Sequence, residues 1–192
     1  MIETIDQLYT GLRDVIAAAS GVDQSRVILA DQGRPPPDPP DELYATYKPV
    51  PVRAVGHPRT ALELVDATEP YDEALLGADW QDFEATTVTQ MELLISCNFL
   101  NECAANAATR MPNANFRYPI LERLYSYGFG WRNCSEIRDL TGVLQAGLQP
   151  RYQVDLNIWA ESRITDTILR AAGFSLTIED ESGNELSSVE EP

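Results

Sequence analysis

Two stretches of strict alternation constrain this chain more than any other feature. In the first, Met91, Leu93, Ile95, Cys97 and Phe99 alternate with Gln90, Glu92, Leu94, Ser96 and Asn98. In the second, Tyr152, Val154, Leu156 and Ile158 alternate with Arg151, Gln153, Asp155 and Asn157. Successive side chains of a strand point to opposite faces, so each stretch predicts a strand with one apolar face and one largely polar face. The apolar face needs a cover. Residues 5–20 supply one, with Ile5, Leu8, Leu12, Val15 and Ile16 at helical spacing. Thr4 and Gln7 form a capping box at its start, and Gly21 stands where a left-handed stop is expected.

The remaining elements follow from similar signals. Residues 101–110 are rich in alanine and predict a helix ended by Pro112; a second helix is expected over 119–127, with Pro119 in its first turn and Gly128 after it. Further strands are expected at 26–30, 43–55 (continued by a hairpin at 60–66), 131–140 and 174–178, with a loop over 141–149. Residues 33–40 hold five prolines and predict an extended connection, either a stiff crossover or a proline-rich ligand. No basic or aromatic specificity residues flank it, which favours the crossover. Helices and strands are segregated along the chain. The expected class is therefore α+β, a mainly antiparallel sheet with the N-terminal helix and two further helices packed on it. We expect one domain over 1–178, carrying an acidic insertion at 66–84, and an acidic mobile tail over 179–192.

Charge is concentrated. The chain has 30 acidic and 14 basic residues, a net charge of −16. Residues 66–84 hold seven acids and 179–192 hold six, with no Lys or Arg in either; setting those thirteen aside leaves the rest at −3. Such a chain repels phosphate, which argues against ordinary nucleic-acid binding. The first acidic segment also carries Tyr71, Leu75, Leu76, Trp80 and Phe83. It is either a segment that orders against a partner or a solvated loop whose aromatics tuck back onto the body. No apolar run reaches the length of a membrane span, and the N-terminus lacks a signal-peptide pattern, so no membrane is expected and folding in a cytoplasm is.

Patterns for catalysis are weak. His57 is the single histidine and lies in Gly56-His57-Pro58, a turn context. Cys97, Cys103 and Cys134 lack paired metal-ligand spacing and read as reduced, partly buried residues. No phosphate-binding glycine motif and no nucleophile elbow occurs. The expectation is a protein that is not an enzyme, with no cofactor and no metal.

Three features taken in order resemble phage neck and tail-terminator proteins of long-tailed phages. They are Leu8-Tyr9-Thr10-Gly11-Leu12-Arg13-Asp14-Val15-Ile16 with Ser20-Gly21-Val22 and the strand at Val27, the link Gln32–Pro40 into Tyr44-Ala45-Thr46-Tyr47, and Gln149–Leu156 leading through Glu161 to a last strand. The similarity spans most of residues 5–178. It implies a tail-terminator-like domain working as a virion structural protein, one protomer of a ring, often a hexamer, that caps the tail tube. The implied partners are the chain itself, the tail tube protein and a head-tail connector or stopper protein. The genome passes through the lumen without specific binding. The implied location is the virion neck, with host cytoplasm during assembly. Asp72, Glu73, Asp79, Trp80 and Asp82 are the candidates for facing a partner or the lumen, where acidic groups would keep DNA phosphate from sticking. Two alternatives stand beside this reading: another connector layer (stopper or adaptor), and an acidic module that inhibits a host protein.

Overall fold

A computed structural model describes residues 4–33, 35–67, 70–71, 79–144, 147–168, 174–179 and 185–191. Its elements are α1 (Ile5–Ser20), β1 (Val27–Leu29), β2 (Tyr44–Asp66), β3 (Gln81–Leu100), α2 (Ala104–Thr109), α3 (Tyr118–Ser126), β4 (Phe129–Cys134), β5 (Arg138–Asp139), β6 (Gly142–Leu144), β7 (Gly147–Gln149), β8 (Arg151–Ile168), β9 (Phe174–Glu179) and β10 (Glu185–Glu191). The class is α+β, as expected, with an open and mostly antiparallel sheet. That sheet runs β1-β2-β3-β8-β4, with β5 also pairing with β8. The contacts divide the chain into two units, residues 1–58 with 88–163 and residues 59–87 with 164–192.

The first unit holds the core. Leu93, Ile95, Cys97 and Phe99 of β3 and Val154, Leu156, Ile158 and Ala160 of β8 are buried on one face, as the alternation predicts. Leu8, Leu12, Val15 and Ile16 of α1 are buried in the same cluster, together with Ala107, Met111, Ile120 and Leu124. Thr4 and Gln7 make the predicted capping box, both bonds at 3.3 Å. Gly21 ends α1 at φ 82°, its N–H bonded to the Ala17 carbonyl. Gly11 lies where a Cβ would come within 2.9 Å of the Phe129 ring, so only glycine lets α1 approach that closely. β2 pairs in parallel with β1 only over Ala45–Tyr47. Pro49 and Pro51 lie just beyond the paired residues, where proline has no N–H to donate to a ladder.

The proline-rich link between β1 and β2 is a clamped crossover. Arg26, whose side chain is largely buried, donates to the carbonyls of Leu43 (2.7 Å), Pro39 (2.8 Å), Asp38 (3.1 Å) and Glu42 (3.1 Å). Asn101 adds its amide to the carbonyls of Pro40 (2.6 Å) and Glu42 (3.0 Å), and is itself held by Gln149 (3.1 Å). A segment with few N–H groups cannot bond to a sheet ladder, so its carbonyls are satisfied by side chains.

Several boundaries differ from the sequence reading. β2, β3 and β8 are each longer than expected, and residues 60–66 continue β2. The strand expected over 131–140 is two short ones, β4 and β5, on one edge of β8. The loop expected over 141–149 contains the hairpin β6-β7. The largest difference is at the end of the chain. Part of the segment expected as a structureless tail, Glu185–Glu191, is β10, antiparallel to β9. Ladder bonds join backbone groups, so a polar sequence can pair without showing an apolar pattern.

In the second unit, Thr60 meets Thr87, and Thr86 meets Thr165, each at 3.3 Å between hydroxyl oxygens. Leu62, Leu64, Ile164 and Ile168 are exposed there. Exposure on both sides removes the inward-outward alternation that would have extended these strands in a sequence reading.

Arg26→Ala is expected to lower the stability of the purified chain by about 1–3 kcal/mol, because several carbonyls lose a charged donor together. Chemical denaturation followed by circular dichroism measures it. Limited proteolysis should show new cleavage within residues 31–43.

Candidate functional site

The sequence candidates lie in the acidic segment. Asp72 and Glu73 fall outside the described residues. Asp79 is exposed and Trp80 half-buried, and both line a recess of about 460 Å³ with Asp66, Ala67, Tyr71 and Gln81. Asp82 is different: it lies within β3 and is only 4% exposed. In the subunit as described, its side chain does not face solvent.

Sequence reasoning missed the most exposed apolar surface. α3 buries Ile120 and Leu124 against the core. Its opposite side carries Tyr118 (75% exposed), Leu121 (46%) and Tyr125 (88%), and Phe116 just before it is 79% exposed. Positions 118, 121 and 125 share one helix face by the three-and-four spacing. Tyr125 also lines a groove of about 580 Å³ with Ser126, Gly128, Phe129, Gly130, Trp159, Ala160, Glu161 and Gln90. A helix apolar on two sides was readable from the sequence, but which side faces the core was not.

The polar face of the sheet in the first unit was also missed. Glu92 is on the outward side of β3, yet its side chain is only 7% exposed. It is covered by Arg53 of β2, whose Nε lies 3.0 Å from Glu92 Oε2, and by Arg132 of β4, paired with Glu92 Oε1. Trp131 is opposite inward Ile158, so alternation turns the next residue, Arg132, outward, where it reaches across β8 to Glu92. A bulge follows: Cys134 faces Leu156, so Arg132 and Asn133 share the space opposite Asn157 alone. Beside it Arg138 Nη1 lies 3.3 Å from Asp155, Gln153 bonds Ser96 (2.8 Å), and Arg151 bonds Asn98 (3.0 and 3.1 Å).

The remaining reactive side chains are scattered. His57 lies within β2, exposed, and not in a free turn as the sequence suggested. All three cysteines are free: Cys97 is buried, Cys134 half-buried and Cys103 exposed. Burial pushes the Cys97 thiol far up, and pushes the Cys134 thiol up to about 11, with Asp155 adding to it. Among the described residues no three His, Cys, Asp or Glu side chains gather as a metal site. Nor, among them, is any helix long and apolar enough to cross a membrane.

What the subunit presents is contact area: an aromatic helix face and an ionic sheet face. Such surfaces characterise proteins that act by association. The chain matches the family model of phage neck terminator proteins over residues 6–182, and it belongs to that family. Its class is thereby a structural protein of the phage neck, placed in the virion. A search of curated proteins returned no match. Membership favours the structural reading over that of a host-protein inhibitor.

Glu92→Gln should destabilise the chain by about 1–3 kcal/mol, because two arginines lose one buried partner. Arg53→Ala should cost less than about 1 kcal/mol, since its guanidinium is largely exposed and Arg132 remains. Denaturant titration of both variants orders them. Alkylation of the native protein at pH 8 with mass readout should label Cys103 first. A raised thiol pKa means little thiolate at that pH, so Cys134 should react faster as pH approaches 11, and Cys97 only on unfolding.

Proposed function

We propose that this chain caps the tail tube as one subunit of a ring, six-membered in the reading favoured by the resemblance, and joins the tail to the head-side connector. The match to neck terminator proteins over nearly the whole chain carries this reading. Its exposed aromatic face supports it, since a ring subunit must bury surface against its neighbours. The role asks for shape and association, so the chain turns over no substrate and requires no cofactor. Its partners are other copies of itself, the tail tube protein and the connector or stopper protein. It folds in the host cytoplasm during assembly. The genome passes through the lumen unbound.

In this reading Asp72, Glu73, Asp79 and Trp80 line the lumen or reach the adjacent ring. Carboxylates there repel DNA phosphate and keep the genome moving. Asp82 belongs to the same segment but is buried within β3, so it is left out of that set.

The test combines solution mass with assembly. The purified chain should form rings in light scattering and negative-stain images, alone or on isolated tail tubes, and tubes assembled without it should fail to join heads. A chain that stays single in both settings, or heads that join tails in its absence, would overturn the proposal. Asp72→Asn with Glu73→Gln and Asp79→Asn should slow or abort DNA ejection; unchanged ejection would remove the lumen role while leaving the ring.

A further inference from the structure

Among the described residues the aromatic face of α3 stands exposed. Phe116, Tyr118 and Tyr125 are each at least 75% exposed, and the helix already fills the core with Ile120 and Leu124. Exposed aromatics of this size, continuous with a groove, mark a surface that is covered in the working state. Tyr, Trp and Arg are also the side chains that dominate the energy of protein interfaces.

The charge beside this face points to the occupant. Residues 104–126 contain Arg110, Arg117 and Arg123 and one acid, Glu122, a local excess of two positive charges on a chain of net charge −16, with Glu161 in the adjoining groove. Arg123 already pairs with Asp14 at 3.0 Å. Arg110 and Arg117 meet no carboxylate among the described residues. Arg117 donates one bond, to the Ala19 carbonyl, and its buried Nε has no hydrogen-bond partner among the described residues. Arg110 packs over Gly21 at the end of α1. Burial lowers the Arg117 pKa, and the nearby Arg110 charge adds to that, as expected for two cations without a counter-ion.

We infer that the aromatic face of α3, with Arg110 and Arg117 at its edge, is the surface that receives the acidic side of a second copy of this chain. This rests on the ring reading and specifies its contact. A ring closes through two different patches per subunit, one presented and one receiving. The chain carries sixteen more acids than bases, so a segment with a local positive excess finds its complement on a second copy.

The experiment uses the full chain and two variants at exposed positions, Phe116→Asp with Tyr125→Glu, and Arg110→Glu. Circular dichroism and thermal melting establish that each still folds. Sedimentation and negative stain then read assembly. The aromatic variant should weaken self-association by at least tenfold. The arginine variant should weaken it less, and should remove part of the salt sensitivity of the wild type. Mixed with wild type, the aromatic variant should open rings into short oligomers, because a wild-type neighbour can still receive it while it receives none. Wild-type and variant chains that assemble alike would overturn the inference and leave the ring reading intact. Variants that form rings but no longer bind tail tubes would overturn it by assigning the face to the tube. A wild-type chain that stays single even on tubes would overturn both.

Discussion

Everything in the first unit depends on one packed layer. The inward side chains of β3 and β8, from Leu93 to Phe99 and from Val154 to Ala160, are buried together with the apolar stripe of α1. Because a strand alternates, burying that face necessarily sends Glu92, Ser96 and Asn98, and Gln153, Asp155 and Asn157, to the other side. The core therefore determines the polar face. The helices that close the core also present their second sides outward, and α3 does so with aromatic residues.

The two outward surfaces differ in kind. On the sheet, acids sit deep and arginines lie over them, so Glu92 and Asp155 are matched inside the subunit. Such pairs hold strands in place and contribute modestly once solvent screens them. On α3 the groups are large, apolar and exposed, and Arg110 and Arg117 nearby meet no carboxylate among the described residues. A solvated surface needs nothing more, whereas an unmatched aromatic surface gains free energy when covered. This difference favours association through the helices over association through the ionic sheet face.

Much of the first unit was legible. The capping box at Thr4, the stop at Gly21 and the two alternating strands were each written in a local pattern, and each has a short-range physical cause. The proline-rich link was legible as a crossover but not as a clamped one, because Arg26 and its carbonyls lie up to 17 residues apart. The long strands were undercounted where both faces are exposed, and β10 where the residues are polar. The candidate site was read only in part. Charge runs drew attention to Asp72, Glu73, Asp79, Trp80 and Asp82, yet composition could not tell an exposed Asp79 from a buried Asp82. The Glu92 pairs join side chains of three different strands, β2, β3 and β4, and no local periodicity announces that.

The sequence alone determined the class of fold, the inward residues of the central strands and the concentration of acid in two segments. These follow from alternation, helical spacing and charge count, which act over a few residues. Only the tertiary structure decided which side of α3 is left uncovered, which strand brings Arg132 to Glu92, and that the contacts group into two units. Those depend on which distant segments meet, and meeting is settled by packing and backbone pairing across the chain, where local pattern carries no information.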